Sequence, residues 1–246
     1  MLSYFGYLAK RTVRIIKEDG IIAYLRKVFA LSSSFMAKWR LSINGDKVRD
    51  DFFKLYYLSK KDQRWLGVHA EKCPTDAWVY QELIFKTKPD FVIETGTCEG
   101  GGSLFFASML DLVGKGKVIT IDLQKHCSLN NPKIIQLTGS SVSEEISGQI
   151  EKLVEGKTVL VSLDSNHTKE HVLKELDIYS KLVQIGGYIV VEDTCVNGHP
   201  VMPGRGEGPY EAVQEFLSKR KDFVADKECE KFLLSYNNGG FLKRVK

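Results

Sequence analysis

The chain has 246 residues, 43% hydrophobic and 27% charged, with a formal charge of +4, which is material for one large α/β domain plus an appendage. Its five cysteines, Cys73, Cys98, Cys127, Cys195 and Cys229, are odd in number and scattered without a CxxC pair, a pattern that suits reduced thiols in a cytoplasm better than a disulfide scaffold. No uncharged run reaches the length of a membrane span.

The charge is unevenly placed. Residues 1–44 carry eight Lys/Arg (Lys10, Arg11, Arg14, Lys17, Arg26, Lys27, Lys38, Arg40) against Glu18 and Asp19, a local +6 that leaves −2 for the rest. An acidic body argues against nucleic acid as its partner. Residues 2–17 and 20–40 read as two basic amphipathic helices, with Ile15, Ile16, Ile21, Ile22, Leu25, Val28, Phe29 and Leu31 at helical spacing. Two roles stay open for this leader: peripheral attachment to an anionic membrane surface, or an arm packed on a second subunit of a homo-oligomer. It does not read as a signal peptide, because the apolar Leu2–Ala9 stretch precedes the basic residues.

Asn44-Gly45-Asp46 marks the expected boundary, giving a leader over 1–45 and a body over 46–246. Within the body, 46–88 reads as a helical cap ending in a helix at Thr75–Lys86, with Thr75 as its cap. Pro89-Asp90 then launches the α/β core over 89–246. Strands are expected at Phe91–Thr95, Val118–Leu123, Ile134–Leu137, Thr158–Leu163 and Tyr188–Val191, with helices between them, notably Ser103–Leu112 and Lys169–Val183. A turn at Asn237–Gly240 between Phe232–Tyr236 and Phe241–Val245 predicts a closing antiparallel hairpin. The fold class is α/β: a doubly wound, mostly parallel seven-stranded sheet with an antiparallel C-terminal hairpin and a helical N-terminal extension.

The first core strand runs into Glu94-Thr95-Gly96-Thr97-Cys98-Glu99-Gly100-Gly101-Gly102-Ser103. Glycines there let backbone approach a ligand and leave a helix N-terminus free to donate N–H groups. The spacing does not satisfy GxGxxG, and Glu94 adds an anion that a pyrophosphate would disfavour but a cationic sulfonium–amino acid ligand would tolerate. Asp122 ends the second strand 20 residues past Gly102, where a carboxylate can bond a ribose diol. Together these fit S-adenosylmethionine better than a dinucleotide.

Two acidic clusters end later strands: Asp164, and Glu192-Asp193. Ligands of open α/β sheets sit beyond the carboxyl ends of strands, so the three carboxylates should meet in one crevice, where a divalent cation would relieve their repulsion. Three carboxylates suit Mg²⁺ or Mn²⁺ equally. His167-Thr168-Lys169-Glu170-His171 also matches HxxEH, an inverted zinc-protease pattern, but that scheme leaves the glycine loop and Glu192-Asp193 without a role. Cys195–Pro209, rich in Gly and Pro and carrying His199 and Arg205, is placed to act as a lid. Trp65, Trp78, Tyr80 and Tyr210 are candidates for stacking on sugar faces or for the core.

The segments WLGVHAEKCPTDAWVYQE, ETGTCEGGGSLFFASMLDLVG, LDSNHTKEHVLKEL, GGYIVVEDTCVNGHPVMPGRGEGPYEAVQEF and EKFLLSYNNGGFLKRV together resemble the cephalosporin hydroxylase / rhamnosyl O-methyltransferase family over about residues 65–246. The metal motif is also similar to that of macrolide-sugar O-methyltransferases. The resemblance implies a class I methyltransferase (Rossmann-like) fold using S-adenosylmethionine and Mg²⁺, with Asp164, Glu192 and Asp193 as metal ligands, Asp164 also taking part in catalysis, and His167 as base. Its expected cofactor contacts are Glu94, Gly96, Thr97, Gly101, Gly102, Ser103, Asp122, Ser140 and Ser141. One departure stands out: where relatives close the glycine loop with Ser, this chain has Gly102, with Ser103 displaced by one. The activity implied is methylation of a sugar hydroxyl on a glycan, glycolipid or sugar-bearing metabolite. A catechol-type or other small-molecule O-methyltransferase, and a non-catalytic glycan-binding scaffold, are the alternatives.

Overall fold

The structure, a computed structural model, describes residues 20–22, 24–26, 28–29, 32–36, 45–59, 62–125 and 130–246. The predicted helix over 2–17 lies outside the described residues. The chain divides into two compact units, Met1–Phe52 and Phe53–Lys246. In the first, the described residues of 20–36 and residues 45–52 are helical, in keeping with the periodicity. Among the described residues no helix is long and apolar enough to cross a membrane.

The second unit opens with helical residues 53–58, followed by a short antiparallel pair, β1 (Arg64–Trp65) and β2 (Val68–His69). This pair interrupts the mainly helical 46–88: Leu66 and Gly67 both take positive φ, 48° and 85°, and turn the chain back on itself. Helix α1 (Pro74–Thr87) follows. Its cap position is Cys73, with Pro74 in the first turn, so Thr75 is not the cap; its hydroxyl instead donates to Leu234 O at 2.6 Å. A proline at the first helical position has no N–H to leave unpaired, which is why the helix starts there.

The core then alternates β3 (Phe91–Thr95), α2 (Gly101–Leu112), β4 (Lys117–Asp122), β5 (Ile134–Thr138), α3 (Glu144–Val154), β6 (Val159–Leu163), α4 (Lys169–Tyr179), β7 (Tyr188–Val191), α5 (Pro209–Lys219), β8 (Phe223–Ala225) and β9 (Phe241–Arg244). The seven-stranded sheet has the order β5-β4-β3-β6-β7-β9-β8. Neighbours from β5 to β7 are parallel, and β9 is antiparallel to both β7 and β8. Strands β6 and β7 are buried along their whole length, as their unbroken apolar runs require when helices cover both faces. On one face Ile146, Ile150, Leu176, Val213 and Phe216 of α3–α5 pack on the sheet; on the other, Tyr80, Leu83, Phe105, Phe106 and Leu110 of α1 and α2 do so. Connections leave β3 toward β4 on one side, while β6 lies on its other side, so the order reverses between β3 and β6. That switch point opens the crevice in which such sheets hold ligands.

Two expectations are corrected here. The antiparallel partners of β9 are β7 and Phe223–Ala225, not Phe232–Tyr236. Residues 232–236 are irregular because their backbone groups are taken elsewhere: Leu234 O by Thr75, Tyr236 N by Asp76 Oδ2 at 2.8 Å, and Tyr236 O by Cys195 N at 3.0 Å. Helix α4 stops at Tyr179, short of Val183, and Gly187 N bonds Gln184 O at 2.8 Å in the turn that leads into β7.

Candidate active site

Side chains at the carboxyl ends of β3, β4, β6 and β7 converge. Glu94, near the end of β3, is fully buried and receives hydrogen bonds from Ser103 Oγ and, at 2.9 Å, from Thr120 Oγ1. Burial pushes its carboxyl up to about 7, against the pull of Lys72 and the two hydroxyls. The Gly102 departure has a physical reason: a Cβ there would fall 2.4 Å from Glu94 Oε1 and 3.1 Å from Lys72 Cε. The loop therefore keeps glycine against Glu94, and Ser103 supplies the hydroxyl.

Asp164 sits just past β6 and faces two ways. Its Oδ2 accepts from Lys72 Nζ at 2.8 Å, and the same ammonium bonds Glu192 Oε1 at 2.6 Å and lies 3.9 Å from Glu94 Oε1. Its Oδ1 lies 3.5 Å from His167 Nε2, which is also 3.5 Å from Asp193 Oδ2. Glu192 takes further bonds from Tyr80 OH at 2.8 Å and Ser162 Oγ at 2.5 Å. Burial opposes the Lys72 charge, but Asp164, Glu192 and Glu94 outweigh it and hold the ammonium well above its ordinary value. For Asp164, burial is overcome by Lys72 and His167, so its carboxyl lies below the usual range. Burial, with Asp164 beside it, pushes Asp193 up to about 7. His167 is raised to about 9, because Asp164, Asp193 and Glu192 prevail over its burial.

Asp193 adopts φ 53°, unusual for a residue with a side chain, and its N–H is held by Asn237 Oδ1 at 3.0 Å. Such backbone is retained where surroundings enforce it, and here it directs the carboxylate toward His167. One ligand atom each from Asp164, His167 and Asp193 lies within 4.8 Å of the others. His167 Nε2 is buried without a hydrogen-bond partner. The carboxylates of Asp164 and Asp193 face one gap there and supply the oxygen donors a hard divalent cation takes, while the imidazole nitrogen between them could exchange a proton with a bound ligand. Glu192 stands apart from that trio, on the Lys72 side of Asp164.

Two cavities flank Gly96. One, of about 240 Å³, is lined by Lys72, Glu94, Thr97, Gly101, Gly102 and the Asp164–His167–Asp193 trio. The other, of about 370 Å³, is lined by Ser140, Ser141, Gly139 and His171; Gly96, Asp122 and Ser165 border both. Of the expected cofactor contacts, only Ser103 borders neither cavity. Asp122 Oδ2 accepts from Cys98 N at 3.0 Å and so closes the glycine loop. His171 turns away from His167 toward Ser141 and Ser165, each 3.2 Å from its Nε2, so the two histidines of HxxEH do not share a ligand position.

The family model described as Rhamnosyl O-methyltransferase/CmcI matches residues 57–245. The chain belongs to this family. It is a methyltransferase. A rhamnosyl O-methyltransferase of Mycobacterium tuberculosis is 36% identical over 242 residues, 92% of this chain and 97% of that protein. The Mycobacterium leprae counterpart is 34% identical over 214 residues, 81% and 91% of the two chains. A solved CmcI structure described with Mg and SAM superimposes with a TM-score of 0.58 at 21% identity, covering 75% of this chain and 77% of that one, and shares the fold.

Lys72 is the residue that reading the sequence missed. It lies on the connection between β2 and α1, far along the chain from the carboxylates it bridges, and no local pattern marks it. The expected aromatic candidates also resolve: Tyr80 is buried, Trp65 packs edge-on to Phe105 with centroids 5.0 Å apart, Tyr210 stacks on His199 at 4.0 Å, and Trp78 is exposed. In the loop expected to be a lid, Cys195, Val196 and Val201 are buried, whereas 203–207 are exposed.

Proposed function

We propose that this enzyme transfers the methyl group of S-adenosylmethionine to a hydroxyl of a sugar carried on a glycan, glycolipid or sugar-bearing metabolite, with Mg²⁺ or Mn²⁺ at the acidic edge. The observation that carries the reading is that Asp164, His167 and Asp193 meet in the cavity beside the glycine loop, which shares Gly96, Asp122 and Ser165 with its neighbour. One cavity suits the amino-acid end of the donor, beside Glu94 and the N-terminus of α2. The other suits its nucleoside, with Asp122 between them and Ser140 and Ser141 on the wall.

Asp164 and Asp193 would hold the ion, and Glu192, expected as a third ligand, would support them through its pairing with Lys72, which also bonds Asp164. When bound, the donor supplies an electrophilic methyl on a sulfonium, and the ion supplies positive charge that orients the acceptor hydroxyl and stabilises its alkoxide. His167 Nε2 takes the hydroxyl proton. For that it must be neutral, and the nearby carboxylate charge that favours its protonated form must first be compensated. Lys72 keeps Glu94 and Glu192 paired beneath the site. The partly buried position of the trio limits water, which favours a step in which cation and anion neutralise each other.

The test is incubation of the full chain with S-adenosylmethionine, Mg²⁺ and a panel of rhamnosides and other hexosides, followed by mass spectrometry of the acceptors. A sugar gaining one methyl group supports the reading. Transfer to catechols with none to sugars would replace it.

A further inference from the structure

We infer that the cavity walled by Tyr56, Tyr57 and Tyr236 is the subsite that holds the ring of the acceptor sugar. The inference rests on the sugar methylation proposed above and assigns it residues on segments outside the acidic edge. The cavity measures about 350 Å³ and is completed by Gln63, Glu71 and Asp193, within the size of pockets that take small ligands, about 300–1,000 Å³. Asp193 also lines the cavity of the metal trio. A ring seated among the tyrosines therefore presents one edge to the carboxylate beside which the hydroxyl must react.

The lining fits a pyranose. Aromatic faces carry negative charge density and meet the polarised C–H groups of a sugar face, while Gln63, Glu71 and Asp193 can bond its hydroxyls. The aromatic wall is also held in place before any ligand arrives. Tyr57 OH contacts Met202 Sδ at 3.0 Å, and Gln63 Nε2 donates to Tyr56 OH at 3.1 Å. The rings of Tyr56 and Tyr57 lie 6.3 and 5.6 Å from that of Tyr236, tilted by 54° and 69°. Tyr236 is clamped in turn by its backbone bonds to Asp76 and Cys195. A wall set by its own contacts loses little freedom on binding, which favours affinity. Tyr236 lies in a segment whose alternation reads as a strand, and Tyr56 and Tyr57 in one that reads as a helix, so no local pattern marks the pocket.

The experiment measures KM and kcat for methyl α-L-rhamnopyranoside with the full chain, Tyr56→Ala, Tyr57→Ala and Tyr57→Phe, alongside calorimetric binding of S-adenosylhomocysteine. The alanine variants should raise KM about tenfold or more, the effect of losing one or two aromatic contacts, with S-adenosylhomocysteine binding unchanged; Tyr57→Phe should stay near wild type. Unchanged KM in alanine variants that still bind S-adenosylhomocysteine overturns the inference. Saturation-transfer NMR on the unaltered protein covers variants that fail to fold: irradiating aromatic protons should transfer to the rhamnoside ring, and no transfer overturns the subsite. Binding seen by NMR without methylation would remove the proposed reaction and leave the subsite. Methylation with no effect of the tyrosines would do the reverse.

Discussion

Lys72 and Glu192 form a buried ion pair, Nζ to Oε1 2.6 Å, across 120 residues of sequence. The ammonium also reaches Asp164, so one lysine compensates an acidic edge that would otherwise repel itself. Removing one member of a buried pair costs about 3–5 kcal/mol, because the remaining charge is stranded. Lys72→Met should therefore lower the thermal midpoint sharply, and added Mg²⁺ should restore more of it in the variant than in wild type. A thermal-shift series with and without Mg²⁺ checks both; equal Mg²⁺ responses would detach Lys72 from the metal edge.

Carboxylate-to-amide changes keep shape but remove charge. Asp164→Asn, Glu192→Gln and Asp193→Asn should each weaken Mn²⁺ binding at least about tenfold, as losses at a metal's carboxylates and their supports do. His167→Gln should keep Mn²⁺ binding close to wild type while kcat falls by about 10²–10⁴-fold, the usual contribution of a positioned base. Paramagnetic titration of Mn²⁺ beside turnover separates the two groups. Loss of Mn²⁺ binding with His167→Gln would make the imidazole a ligand instead.

Asp76 gives a pH signature in stability. Burial raises its carboxyl from 3.8 to about 7, partly offset by Ser235 and the Tyr236 N–H. Between those values the folded chain holds a proton that the unfolded chain has released, so stability falls as pH rises from about 4 to 7 and stays low above it. Asp76→Asn retains an acceptor for Tyr236 N and lacks this titration. Its midpoint minus that of wild type should climb across pH 4–7 and then level; a difference flat with pH contradicts the assignment.

Gly96 and Gly67 share positive φ, 87° and 85°, yet differ in space. A Cβ at Gly96 would lie 2.0 Å from Asp164 O, whereas at Gly67 nothing lies within 4 Å. Gly67→Ala should pay only backbone strain, about 1–3 kcal/mol. Gly96→Ala should lose clearly more in urea unfolding and should not bind S-adenosylhomocysteine. Equal losses would mean the loop moves freely away from Asp164.

The parts legible in the sequence were those written in local pattern. Buried strands such as Val159–Leu163 read directly as β-branched runs, and the acids that follow them fall where parallel strands end. Glu94, Gly96 and Asp122 stand out in the sequence for the same reason, at or just past the ends of β3 and β4. What escaped depends on contacts between distant segments. Lys72 looks like a solvated lysine until three carboxylates surround it. Phe232–Tyr236 alternates like a strand, yet its backbone groups are claimed by Thr75, Asp76 and Cys195. Tyr56 and Tyr57 sit in a helix whose pattern alone does not distinguish a pocket wall from a packed face.

A divalent ion at the Asp164–Asp193 edge, acting together with a bound methyl donor on a sugar hydroxyl, makes transfer depend on the ion. A single-turnover assay tests it most directly: full chain, labelled S-adenosylmethionine and the rhamnoside are mixed in chelator, and Mg²⁺ is added later. Label should stay on the donor until Mg²⁺ arrives and then move to the sugar. Transfer at the full rate in chelator would contradict the account.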